Sequence, residues 1–164
     1  MKTALIVIDV QKYFVNEETK NLPQRIGNFI EKSSFDYVLF TQLINSKDSN
    51  FVRLLNWNKC FKSPDIDIHP LLLRFITKGN LFQKTSFSIF KSRKLTEFLK
   101  KHNITKLLLC GIDTESCILA SAFDAFDQGY DVRVLEDLSF SHSGRDFHDA
   151  AIKILNKNIQ KQKF

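Results

Sequence analysis

The stretch Lys106 to Gln128, KLLLCGIDTESCILASAFDAFDQ, decides the architecture, because it reads as a buried strand, a sharp turn and a helix whose first turn holds a cysteine. Leu107 to Cys110 is a short apolar run of the kind expected of a strand covered on both faces, and Gly111 ends it. Asp113 and Thr114 are N-cap candidates for a helix in which Ile118, Ala122 and Phe126 recur at a spacing of four. Cys117 then falls where unpaired backbone N–H groups and the positive end of the helix dipole favour a thiolate, the form of cysteine that attacks carbonyls. Taken alone, a cysteine is more often a small buried apolar residue. Its place at a strand-to-helix junction, where open α/β sheets put their ligands, shifts the balance towards a nucleophile.

Outward from this unit the chain alternates strand and helix. Ala4 to Asp9 is a continuous Leu/Ile/Val run, hence a central parallel strand. Pro23 to Ile30 has Ile26, Phe29 and Ile30 at helical spacing, and Asp36 to Gln42 reads as the second strand. A polar loop from Asn45 to Asn58, with a short helix around Val52 to Leu55, leads into an irregular stretch punctuated by Pro64 and Pro70. Leu71 to Thr77 suits a short strand or a turn of helix, and Leu81 to Lys84 a strand. Ser92 can cap a helix to Lys101, with Leu95, Phe98 and Leu99 on one face. Asp131 to Leu135 is the next strand, and Ser143 with Asp146 resembles a capping box for a helix to Leu155. With no repeat, linker or low-complexity segment, this order predicts one domain over residues 1–164, a three-layer α/β/α sandwich on a mostly parallel sheet.

A chain of 164 residues with 43% hydrophobic content can bury a sizeable core. It has no apolar run of about 18 residues, and MKTALIVIDVQ lacks the features of a signal peptide, so a cytoplasmic protein with no membrane association is expected. Three cysteines, Cys60, Cys110 and Cys117, lack metal-ligand spacing and suit free thiols. The net charge of +6 is spread over helix-like segments and a basic tail without interleaved aromatics, so no nucleic-acid partner is expected.

Carboxyl ends of neighbouring parallel strands converge on one crevice. Here those ends carry Asp9 after ALIVI, Lys84 after LFQ and the turn leading to Cys117 after LLLC. An acid, a cation and a nucleophile sharing one edge form a set suited to acyl transfer. Each alone has an ordinary explanation: a strand-end Asp as a turn residue, Lys84 as a surface lysine. Phe14, Trp57 and Phe87 are candidates for an apolar pocket wall, although a chain with 16 phenylalanines buries most of its aromatics. Of the four histidines, His142 follows a strand-end segment and could face the crevice, but a loop histidine is more often solvated.

These residues resemble the isochorismatase-like cysteine hydrolases, a family that includes nicotinamidases and N-carbamoylsarcosine amidase. ALIVIDVQKYF is similar to the first-strand motif, QKTSFSIF to the lysine motif, and GIDTESCILASAFDAFDQGYDV to the nucleophile motif, in the same order along nearly the whole chain. The resemblance implies an isochorismatase-like (Rossmann-like) fold and a catalytic triad of Asp9, Lys84 and Cys117. It also implies a cis Ile112–Asp113 peptide that turns the backbone N–H groups of Asp113 and Cys117 towards an oxyanion. Nicotinamidases bind a metal through an Asp-x-His pair after the second strand, where this chain has Thr41-Gln42-Leu43-Ile44-Asn45, so no metal and no cofactor are expected. Isochorismatase proper lacks the cysteine, which favours C–N cleavage of a small-molecule amide, carbamoyl or ureido compound through a thioester. The short polar tail NIQKQKF leaves five or six strands open, and a homo-oligomer, dimer or tetramer, is expected.

Two other classes compete. A non-catalytic α/β ligand-binding or signalling domain would share the fold, although receivers want an acidic cluster and haloacid-dehalogenase phosphatases want Asp-x-Asp where Asp9-Val10-Gln11 offers one carboxylate. A redox protein would want Cys-x-x-Cys, which this chain lacks.

Overall fold

Strand β1, Lys2–Ile8, explains the architecture by its burial: from Ala4 to Ile8 every side chain is excluded from solvent, which only a strand with neighbours on both edges and cover on both faces allows. In this computed structural model, which describes residues 1–160, the other strands are β2 (Tyr37–Leu43), β3 (Leu81–Lys84), β4 (Ile104–Ile112) and β5 (Asp131–Phe140). All pairings are parallel, in the order β3-β2-β1-β4-β5. The sheet has five strands among the described residues; the expectation for the end of the tail falls on residues 161–164, outside them.

Helices cover both faces. Ala4, Ile6 and Ile8 point to one core with Leu95 and Leu99 of α3 (Arg93–Lys101), Ala122 and Ala125 of α4 (Leu119–Asp127) and Ile152 and Leu155 of α5 (Arg145–Asn158). Leu5 and Val7 point to the other, with Leu22 and Ile26 of α1 (Leu22–Lys32), Phe51 of the short α2 (Asn50–Leu55) and Leu72 of a 3₁₀ turn at Pro70–Phe75. The period-two split of one strand into two cores makes each β1 residue costly to truncate; Ile6→Ala should cost about 2–5 kcal/mol.

Several local readings change. β4 and β5 run longer than Leu107–Cys110 and Asp131–Leu135, because their ends stay paired through a register shift between Leu109 and Gly111. Gly111 lies at φ +119 with its Cα paired to Ile8, and a Cβ there would overlap the Ile8 backbone. Cys117 sits in a wider π turn, Thr114–Ile118, closed by Ile118 N–H donating to Asp113 O (3.1 Å), and α4 begins after it. Neither Asp113 nor Thr114 caps a helix with its side chain: the Asp113 carboxylate accepts from His142 and Thr114 Oγ1 meets His148 Nδ1 at 2.8 Å. Ser92 precedes α3, but its hydroxyl donates to Gln83 O (2.8 Å) and ties α3 to β3. Gly144 at φ +114, not Ser143, begins α5, and Phe126 is exposed because Ala122 and Ala125 form the inner face of α4.

Candidate active site

Asp9 ends β1 in a left-handed backbone conformation (φ 50), which Asp tolerates better than most residues and which aims its carboxylate across the carboxyl edge of the sheet. Two residues on, Gln11 extends the sheet with its side chain: Oε1 accepts from Leu43 N–H (2.7 Å) and Nε2 donates to Leu43 O (2.9 Å) and Ile66 O (3.1 Å). The Asp-x-Gln spacing is thus one turn residue that presents an acid and one that locks the loop to β2.

Lys84 ends β3, two strands away, and its extended side chain crosses beneath β2. Its Nζ lies 2.6 Å from Asp9 Oδ2, 3.3 Å from Cys117 Sγ and 2.7 Å from Ser86 O, so the ammonium has three partners. Thr41 on β2 donates from Oγ1 to Asp9 Oδ1 at 2.7 Å. The sheet therefore brings Asp9, Lys84 and Cys117 together, although they are far apart in sequence. Thr41 was not foreseen as a partner; its register beside β1 was the only available signal.

The electrostatics differ from the sequence expectation of a stabilised thiolate. Burial pushes the Cys117 thiol well above its ordinary range; Lys84 opposes this, while Asp9, by charge and hydrogen bond, and Asp113 reinforce it. The balance favours the neutral thiol. Burial alone would lower the Lys84 pKa, but Asp9 and the sulfur outweigh it and hold Lys84 above its ordinary value. A Lys84 ammonium beside an un-ionised Cys117 thiol is the state these shifts favour.

A cavity of about 260 Å³ opens onto the sulfur. Phe14, Trp57 and Phe87 all line it, together with Leu43, Phe51 and Leu55. Phe14 stacks on Trp57 at 6.4 Å between ring centres, and Phe51 packs edge-on against Phe87 at 4.9 Å, so the wall is one aromatic cluster. His142, just beyond β5, faces the cavity beside Asp113, Ser116 and Cys117. The Ile112–Asp113 peptide is cis.

The donor set does not fit a metal. Among the described residues no cluster of three or more His, Cys, Asp or Glu side chains could hold one. After β2, Thr41 is bound to Asp9, Gln42 Nε2 donates to Ile66 O (2.8 Å), and Asn45 Nδ2 donates to Trp57 O (3.1 Å) and Lys59 O (3.0 Å).

Residues 3–162 match the Isochorismatase domain, and the chain belongs to that family. Among solved structures it is similar to an isochorismatase-like hydrolase from Alkaliphilus metalliredigens (TM-score 0.84, 22% identity, 96% of this chain and 92% of that one). It is also similar to nicotinamidase PncA from Bacillus subtilis (TM-score 0.79, 25% identity, 98% and 97%). N-carbamoylsarcosine amidase from Thermoplasma acidophilum shares the fold (TM-score 0.80, 20% identity, 98% and 94%). Among curated proteins, isochorismatase domain-containing protein 2 from Xenopus laevis is 38% identical over 65 residues, 40% of this chain and 32% of that one. The chain spans about a third of the length of the first curated relatives it matches. One further relative, 42% identical over 55 residues, 33% of this chain and 28% of its own length, is described as a probable inactive nicotinamidase of Arabidopsis thaliana. No described helix is long and apolar enough to cross a membrane.

Proposed function

We infer that this protein is a cysteine hydrolase that cleaves the C–N bond of a small amide, carbamoyl or ureido compound without a metal. The observation that carries the reading is the position of the Cys117 sulfur, 3.3 Å from a lysine that is itself paired with Asp9, at the floor of an apolar cavity.

A neutral thiol is a poor nucleophile until its proton leaves, and Asp9 is the acceptor within reach. As Cys117 Sγ attacks the carbonyl carbon, the proton passes to Asp9 and the carbonyl electrons move to oxygen. The backbone N–H groups of Asp113 and Cys117 are the proposed donors to that oxyanion. Collapse breaks the C–N bond, Asp9 protonates the leaving nitrogen, and a thioester remains. Asp9 then accepts a proton from the water that attacks the thioester; collapse breaks the C–S bond and releases the acid, and Asp9 returns the proton to the departing sulfur, restoring the thiol and the carboxylate. Lys84, in contact with both Asp9 and Cys117, steadies charge that moves between carboxylate and sulfur.

Ammonia release from a panel of primary amides, carbamoyl and ureido compounds tests the reading. Turnover by the wild type, its loss in Cys117→Ala with an unchanged fold, and indifference to a chelator are expected. Near-normal release by Cys117→Ala, or activity that a chelator abolishes and zinc restores, would end it. A wild type that binds panel members without turnover would favour a ligand-binding domain instead, a possibility raised by the relative described as inactive.

A further inference from the structure

We propose that His142 is the anion-recognising group of this pocket, and that the compound bound there carries a carboxylate at the end opposite its scissile carbonyl. The proposal rests on the hydrolase reading for the identity of the carbonyl end, and on independent geometry for the carboxylate end.

His142 is held from several sides. Its backbone N–H donates to Asp113 Oδ1 (2.8 Å), its Nδ1 lies 2.7 Å from Asp113 Oδ2, and its carbonyl accepts from Asn16 Nδ2 (2.7 Å). Its ring meets Phe14 edge-on at 5.4 Å and Tyr13 at 6.2 Å. With Nδ1–H given to Asp113, the tautomer is fixed, and Nε2 has no hydrogen-bond partner among the described residues. On a ring that lines the cavity and is only partly exposed, that nitrogen becomes a charged donor once the imidazole takes up a second proton.

The surrounding charges favour that proton. Asp113 and Glu115 face the ring from the turn before α4, while Tyr13, Phe14 and Asn16 face it from the segment after β1. The hydrogen bond to Asp113 raises the His142 pKa, burial opposes it, and the charges of Asp113 and Glu115 add to the rise. Both oxygens of the Asp113 carboxylate are engaged by His142, so its charge is countered by the imidazolium that it supports. Glu115 gives Oε1 to Ser141 (2.7 Å) and is pushed by burial towards its neutral form.

Elsewhere the wall is mostly apolar, with Phe14, Leu43, Phe51, Leu55 and Phe87; the Trp57 indole N–H and the Ser116 hydroxyl are neutral donors, which leaves His142 as the group there that can carry positive charge. Asp113 holds His142 through its carboxylate, and His142, Asp113 and Cys117 line the same cavity, so one small molecule can meet both the imidazole and the thiol. The overall charge of +6 adds long-range attraction for an anion.

Matched probes test this without turnover. In Cys117→Ala, succinamate and its neutral counterpart succinamide are titrated by calorimetry at about pH 6 and about pH 9, spanning the range in which an imidazole discharges. Succinamate is expected to bind about tenfold tighter at the lower pH, the scale of one charge-assisted hydrogen bond. The advantage should disappear at the higher pH and in Cys117→Ala/His142→Gln, and persist at both pH values in Cys117→Ala/His142→Arg. Equal affinity for the two probes, undetectable succinamate binding at the lower pH, or a preference that survives His142→Gln would overturn the proposal. Because Cys117→Ala turns nothing over, absence of hydrolysis by the wild type would refute the hydrolase reading while leaving this binding result intact.

Discussion

The Lys84 ammonium lies 2.6 Å from the Asp9 carboxylate with both side chains fully excluded from solvent. Such a pair is weak evidence for stability, because desolvating two charges offsets most of their attraction, but removing one partner strands the other. What the pair does is place an ammonium and a carboxylate beside the Cys117 thiol. Lys84→Met and Asp9→Asn should each lower stability by about 3–5 kcal/mol, and the double variant by clearly less than the sum. Urea unfolding of all four proteins measures this, and additivity would mean that the two groups do not interact.

The thiol reports the same pair chemically. Lys84 lowers the Cys117 pKa and Asp9 raises it, against a larger upward push from burial. Lys84→Met should therefore slow iodoacetamide labelling at neutral pH and shift its profile to higher pH, while Asp9→Asn should shift it lower and still impair acylation by an amide. Superimposable labelling profiles for wild type and both variants would dissociate the pair from the sulfur.

Gly111 is where β4 passes β1 just before the turn that holds Cys117, at φ +119. Alanine there is strained by its backbone, and its Cβ would press on Ile8 N and C at 2.8 and 2.9 Å, with no flexible side chain to yield. Gly111→Ala should cost about 3 kcal/mol or more and displace the turn, so that thermal unfolding shifts sharply while Gly129→Ala, where a Cβ meets nothing, shifts far less.

Two histidines give stability opposite pH dependences. His142 is raised by Asp113, so its contribution is complete below the unfolded value of about 6.5 and is lost as pH rises through the folded value. His148 is lowered, chiefly by burial, so folding favours its neutral form; that contribution is present above about 6.5 and is lost as pH falls towards the folded value. Unfolding free energies across this range should show a shallower alkaline decline in His142→Gln and a shallower acid decline in His148→Gln. His142 is partly exposed, so its effect should be the smaller and more salt-sensitive.

The legible part of the fold was periodic and local. ALIVI and LLLC are continuous apolar runs because both faces of β1 and β4 are covered, and the limits of β3 were readable because Lys84 follows a short apolar segment. Alternation of such runs with helical spacing was enough for a parallel sheet, and the carboxyl ends of its strands were enough to nominate Asp9, Lys84 and Cys117 as neighbours. Helix starts were less legible: Ser143, Asp113 and Thr114 have capping side chains, but tertiary partners claimed two of them and a positive-φ glycine displaced the third.

What the chain order could not contain was decided by packing. Thr41 supports Asp9 only because β2 lies beside β1 in one register, and His142 reaches the pocket only because the extension of β5 carries it to the same edge. The thiol's protonation was likewise a tertiary outcome. A helix start favours thiolate locally by about 0.3–1 kcal/mol, whereas burial beside Asp9 acts in the other direction. Residue types and spacing determined which groups could meet at the sheet edge; desolvation and strand register, which depend on every neighbour at once, decided their charge and their partners.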